Sequence, residues 1–212
     1  MRFDNFIKKT GNLPVIETEM MLAGDPDPNP IEVQFSRWEK AGKLIKLKRG
    51  FYVLAERYRK TAVSEFYIAS ILIRPSYISL EKALEYYHLI PEAVYAYTSL
   101  TTKRQGEFIT KAGRFSYRHI QTSLFWGYES LKSDGQTAFV AHAEKALLDL
   151  VYIKHIKVSP DYLDELRLQN VENINIDRLL EYAERFHKPG ILKAAGLIRR
   201  YVEEYKKGEK LL

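Results

Sequence analysis

Five histidines and a few carboxylate pairs are the residues here whose types could carry acid–base or metal chemistry. His142-Ala143-Glu144 has the His-x-Glu spacing of the zinc deaminases, but those sites also need cysteine ligands, and this chain has no cysteine. A histidine at a helix start is the plainer reading. None of His88, His119, His142, His155 or His187 pairs with another at the four-residue helical spacing, with a Glu between, of a zinc protease. Asp25 and Asp27 are close in sequence, but they alternate with prolines in a turn, and no Gly-Ser strand precedes them to build a nucleotidyltransferase site. Glu204-Tyr205-Lys206 has the Glu-x-Lys order of restriction-type nucleases, yet it falls in a helical tail, where it reads as solvated charge. Neither the phosphate-binding G-x-x-x-x-G-K nor G-x-G-x-x-G occurs. The expectation is a protein that is not an enzyme and uses no metal or cofactor.

The remaining chemistry is electrostatic. Residues 36–60 hold nine Lys/Arg against two Glu, a local excess larger than the net +6 of the whole chain. A basic focus on a near-neutral body points to a polyanion. The absence of cysteine fits a reducing cytoplasm. No apolar run approaches the ~18 residues of a membrane helix, and the start MRFDNFIKKT lacks the apolar core of a secretory signal, so a cytoplasmic protein without membrane attachment is expected.

The elements that must position this charge read as follows. A short helix over 1–10 carries Phe3, Phe6 and Ile7 on one face. A second runs from Val15 to Ala23 and ends at Gly24. Asn29 and Pro30 suit the cap and first position of a third, whose apolar residues Ile31, Phe35 and Trp38 recur every three or four positions up to Gly42. Opposite that stripe lie Val33, Ser36, Arg37 and Lys40. A ribbon follows, with Ile45 and Leu47 facing one way and Lys46 and Lys48 the other, turning at Lys48-Arg49-Gly50. Three helices and a basic hairpin in about 55 residues have the layout of a winged helix-turn-helix.

Residues 55–63 are polar and read as a linker. Beyond it, helices are expected after Ser64 and after Ser79, three or four mostly antiparallel strands over 94–128, a strand over Ala138–Ala141, and a helix carrying Ala146, Leu147, Leu150 and Val151. The tail should be helical over 162–168, 176–186 and 191–205. The fold class is α+β: a winged helix-turn-helix over 1–60, then a mixed domain over 61–212 with a small, mostly antiparallel sheet flanked by helices and a helical C-terminal part. A cut in the linker is expected to leave two foldable pieces. The middle segment has a second cationic series, Lys103, Arg104, Lys111, Arg114, Arg118 and His119, interleaved with Phe108, Phe115, Tyr117 and Trp126. It reads either as a sheet with aromatics inside and charges in water or as a binding platform.

Five motifs in order, EKAGKLIKLKRGFYVL, RPSYISLEKALEYYHLIPE, YTSLTTKR, FSYRHI with LFWGY, and AEKALLDLVYI, resemble the AbiEi-type antitoxins. The resemblance covers about residues 15–155; the helices beyond 160 have no counterpart in it. Ala143 stands where such proteins often have proline. The resemblance implies an antitoxin of a bacterial toxin–antitoxin operon linked to abortive phage infection. Its winged helix would bind inverted repeats in double-stranded DNA of its own promoter as a transcriptional repressor. Its second domain would counter a cognate nucleotidyltransferase-like toxin, directly or indirectly.

On this reading the DNA-binding residues are Ser36, Arg37, Lys40, Lys43, Lys46, Lys48 and Arg49, with Arg37 as the base-reading side chain and Lys46, Lys48 and Arg49 on phosphates. Lys103, Arg104, Arg118 and His119 are the expected antitoxin surface. Two other classes stay open: a nucleic-acid-processing enzyme with a nuclease-like second domain, and an adaptor whose basic face binds an acidic protein.

Overall fold

The computed structural model describes residues 2–22 and 29–208. The expected helix end at Gly24 and the Asp25/Asp27 pair lie outside them. The chain begins with α1 (Phe3–Thr10), a two-residue strand β1 (Ile16–Glu17) and a short α2 (Thr18–Leu22), followed by α3 (Asn29–Lys40) and a hairpin of β2 (Leu44–Lys48) and β3 (Phe51–Leu54). The second helix expected from Val15 onward therefore starts three residues late. Ile16 and Glu17 instead pair antiparallel with Tyr52 and Phe51, making a three-stranded sheet of order β1-β3-β2. Pairing places Ile16 in a core with Phe6, Phe35, Trp38, Leu44, Tyr52 and Leu54, a better use of its side chain than one turn of helix.

The small sheet is covered on both faces. Leu44, Tyr52 and Leu54 point toward α1 and α3. Leu47 and Val53, with Val15 before β1, belong instead to the core of the rest of the molecule. A cut near residue 60 therefore uncovers three buried apolar side chains.

After a 3-10 turn at Glu56–Tyr58 the chain forms α4 (Glu65–Leu72), β4 (Ser76–Ile78), α5 (Leu80–Tyr86), β5 (Ala96–Thr101), β6 (Gly106–Thr110), β7 (Gly113–His119), β8 (Tyr128–Ser133), β9 (Gln136–Ala141) and α6 (Ala143–Ile153). The tail is α7 (Pro160–Glu165), α8 (Ile176–Arg185) and α9 (Pro189–Lys206). The molecule is thus mixed α+β, as expected; the second sheet is larger than expected and mixed, although three of its five pairings are antiparallel. It has six strands in the order β6-β7-β5-β4-β9-β8. β5 runs parallel to β7 and β4 parallel to β9, while the other three pairings are antiparallel. The parallel pairs arise because β6 folds back outside β7, leaving β7 beside β5, and because β4 is inserted between β5 and β9. β4 is only three residues long and all are buried; such a run carries no alternation to mark it as a strand.

The register sets Tyr77 beside Leu100, which is beside Arg118, and Ile78 beside Ser99, which is beside Tyr117. Tyr77 and Tyr117 therefore point to opposite faces. The Tyr117 hydroxyl donates to the Ala69 carbonyl of α4, and the Tyr77 hydroxyl donates to Asp149 of α6. Helix α4 thus covers one face and α6 the other, with α8 and α9 packed behind α6.

Candidate nucleic-acid interface

Helix α3 stands on Phe35 and Trp38, both buried among the rings of Phe3, Phe6 and Tyr52. At about 100° per residue, Val33, Ser36, Arg37 and Lys40 share the opposite side, and all four are exposed. Val33 is 50% exposed, an apolar residue left in water beside two cations. Neither Arg37 nor Lys40 forms an ion pair with a described residue. Glu32 and Glu39 lie on one flank of this face. The helix closes as its sequence indicates: the Gly42 amide donates to the Glu39 carbonyl and the Lys43 amide to the Trp38 carbonyl. This ending turns the chain directly into β2 and places the hairpin beside α3.

The hairpin does not present its cations as strict alternation predicts. The ladder pairs Lys46 with Tyr52 but Lys48 with Phe51, so Leu47 is an extra residue in a β-bulge. One extra residue moves the side chains after it to the other face. Lys46 stays exposed. Lys48, expected on phosphates, turns inward: its ammonium donates to the Leu72 carbonyl at the end of α4, 2.7 Å away, and lies 4.0 Å from the centre of the Phe51 ring. Burial pulls its pKa below the usual lysine value, with the Glu17 charge working in the opposite direction. Lys48 therefore braces the hairpin against α4, and the phosphate role assigned to it from sequence is corrected. Lys43 is half-buried with its ammonium 4.5 Å from the Phe3 ring centre. Arg49 is exposed at the turn. Gly50 follows with φ +80°, a conformation side chains other than glycine rarely adopt. Its carbonyl accepts the Thr18 amide at 2.8 Å, which fastens the tip to the start of α2. Of the seven residues expected at DNA, Ser36, Arg37, Lys40, Lys46 and Arg49 are exposed, Lys43 is half-buried against Phe3, and Lys48 is turned toward α4.

The second cationic series splits by strand alternation. Phe115 and Tyr117 are buried in the core, while Arg114 and Arg118 of the same strand are exposed. Lys103 and Arg104 sit in the turn between β5 and β6, and the Lys103 carbonyl lies 3.2 Å from His119 Nδ1. Arg118 and His119 meet again on the wall of a cleft with Gln105, Tyr152 and His155, a cleft that Lys103 and Arg104 do not line. Arg114 is paired to Glu107 at 2.5 Å.

The candidate pair His142 and Glu144 is occupied by structural partners. His142 precedes α6 at the N-cap position without a side-chain bond to the helix; its Nδ1 lies 2.7 Å from the Tyr182 hydroxyl, and burial together with the Arg178 charge pulls its pKa below the usual histidine value. Glu144 is fully buried; one oxygen accepts the Asn175 amide at 2.8 Å and the other accepts Arg178 Nε at 2.7 Å. Helix α6 also buries Lys145 and Asp149 completely, which the pattern AEKALLDL does not announce, since a Lys–Asp pair four apart reads as a solvated bridge. They pair with each other, and Asp149 also accepts from the Tyr77 hydroxyl at 3.1 Å and from Ser79 Oγ at 2.8 Å. Burial pulls Lys145 down and Asp149 up. Gly127 lets the Lys145 stem pass: a Cβ there would lie 3.0 Å from Lys145 Cγ. This network ties β4 to α6.

No family model matches the chain, and no curated protein matches it.

Proposed function

We propose that this chain is the antitoxin of a bacterial toxin–antitoxin operon and a repressor of that operon, with residues 1–60 acting as a winged helix-turn-helix on duplex DNA. The observation that carries the DNA reading is the exposed side of α3. Its apolar half is buried under Phe35 and Trp38, and its outer half offers Ser36, Arg37 and Lys40 without carboxylate partners among the described residues. Arg37 has the planar fork that pairs with guanine in a major groove. Lys40, Lys46 and Arg49 hold phosphates on either side and set the register. The antitoxin part rests on the five-motif resemblance. Its candidate surface is the cluster around Arg118 and His119, reached from Lys103 and Arg104 at the neighbouring turn.

Two assays on the full chain test this. In the first, a gel shift uses DNA from immediately upstream of the gene; a discrete complex that outlasts excess non-specific duplex is expected. In the second, growth is measured in cells expressing a nucleotidyltransferase-like toxin encoded beside the gene. The Arg37→Ala chain is expected to rescue as wild type does while losing its preference for the promoter over non-specific duplex. Absence of a specific shift removes the repressor role, and failure of wild type to rescue removes the antitoxin role.

A further inference from the structure

Three clefts adjoin on the side of the body formed by the end of β7, the α6–α7 connection and the start of α9. The first, of about 590 Å³, has an apolar floor of Val151, Ile156 and Ile191 and a rim of Lys157, Lys188 and Lys193. The second, of about 570 Å³, is walled by Arg118, His119 and His155. The third, of about 410 Å³, lies between Trp126, Arg185 and His187. They are contiguous: Tyr152 and His155 line the first two, Lys188 the first and third, and Gln121 the second and third. No Asp or Glu lines any of these three; carboxylates begin only beyond the second, where the adjoining cleft that shares Arg118 and Lys154 with it carries Glu81 and Glu107. Of their cations only Lys154 is paired among the described residues, to Glu81 at the edge of the trough. Arg185 stacks on Trp126, 3.9 Å from the ring centre.

Such a concentration of like charge repels itself and raises the local concentration of anions. The shape narrows the choice of anion. Each cleft has the size of a small-molecule pocket, with an apolar or aromatic floor and cations at the rim. Bases suit such floors and phosphates suit such rims, provided the bases are free to enter, which a duplex forbids. We propose that this trough binds a single-stranded polynucleotide, with phosphates held by Lys157, Lys188, Lys193 and Arg118 and bases against Tyr152 and the Ile156–Ile191 floor. This goes beyond the reading of α3 and depends on none of it.

The test is fluorescence anisotropy of a labelled twelve-residue oligo(U) with the full chain between 50 and 200 mM salt. Binding is expected at the lower salt. Lys157→Ala/Lys188→Ala/Lys193→Ala should weaken it at least tenfold and reduce the salt slope by about 2, at ~0.7 per phosphate contact on a single strand. Lys8→Ala/Lys9→Ala, which removes exposed charge from α1, should stay within twofold of wild type. Melting temperatures check that the variants are folded, and Arg118→Ala/Arg185→Ala replaces the triple variant if that one is not. No binding by wild type, or unchanged binding by a folded trough variant, overturns the proposal. An equal loss in the α1 variant does so too, because it reduces the effect to net charge. Displacement of oligo(U) by polyglutamate at equal charge, or preference for a duplex of the same length, overturns it in favour of an acidic protein or double-stranded DNA.

Discussion

Lys48 and Arg49 are adjacent cations at one turn, and the bulge at Leu47 gives them different work. Lys48→Met keeps the length of the stem over Phe51 but removes the bond to the Leu72 carbonyl. A hydrogen bond from a charged donor contributes about 1.5–3 kcal/mol. Lys48 is only partly buried, so the lower half of that range applies, with about 0.5–1 kcal/mol more from the lost contact with the Phe51 ring. At about 2–4 °C per kcal/mol for a chain of this length, Lys48→Met should lower the melting temperature by roughly 4–13 °C. It should leave the salt slope of duplex binding unchanged. Arg49→Ala should behave oppositely: stability within about 0.5 kcal/mol, and a slope shallower by about 0.9 for one lost phosphate contact. Differential scanning fluorimetry and anisotropy on a duplex at several salt concentrations give both numbers for both variants. If Lys48→Met reduces the slope and spares the melting temperature, the inward placement of Lys48 is wrong.

Three other outcomes follow from the packing. Asp149→Ala leaves Lys145 buried without a counter-charge and should cost about 3–5 kcal/mol, whereas Lys145→Met/Asp149→Leu should recover much of that in a urea titration. His142 has a lower pKa folded than unfolded, so below about pH 6.5 the unfolded chain takes up a proton that the folded chain resists. Stability should therefore fall as pH drops from 7 toward 5, and His142→Gln should flatten that part of the melting-temperature profile. The fragment 64–212 loses the packing of Val15, Leu47 and Val53, each side chain contributing about 1.5–3 kcal/mol when buried; it should melt well below the full chain or aggregate, as scattering during a thermal ramp would record.

Sequence periodicity carries far where one side of an element meets a core and the other meets water. The stripe Ile31, Phe35, Trp38 locates α3, and the same alternation sends Phe115 and Tyr117 inward and Arg118 outward. It fails where an element is buried all round or paired at a distance. β4 has no solvent-exposed side to mark it, and its partners β5 and β9 lie about 20 and 60 residues on. In α6 the buried Lys145 and Asp149 resemble a surface pair because their partners, Tyr77 and Ser79, belong to another part of the sequence. Ser79 is a helix-capping residue by type, yet its hydroxyl serves Asp149 instead of the α5 amides. The bulge at Leu47 leaves no mark in LIKLKRG and alone decides that Lys48 faces α4. The cationic trough is assembled from stretches far apart in the sequence, so neither a local charge count nor a motif reveals it.

The proposed function turns on Arg37 of α3 reading duplex DNA. Its most direct measurement is the ratio of affinities for the upstream DNA and for a scrambled duplex, compared between wild type and Arg37→Ala at one salt concentration. A bidentate guanine contact contributes about 1–3 kcal/mol of discrimination, so the variant should lose roughly 5- to 150-fold of that ratio while its affinity for the scrambled duplex changes far less. An unchanged ratio, or an equal loss on both duplexes, would contradict the assignment of α3 as the reading helix.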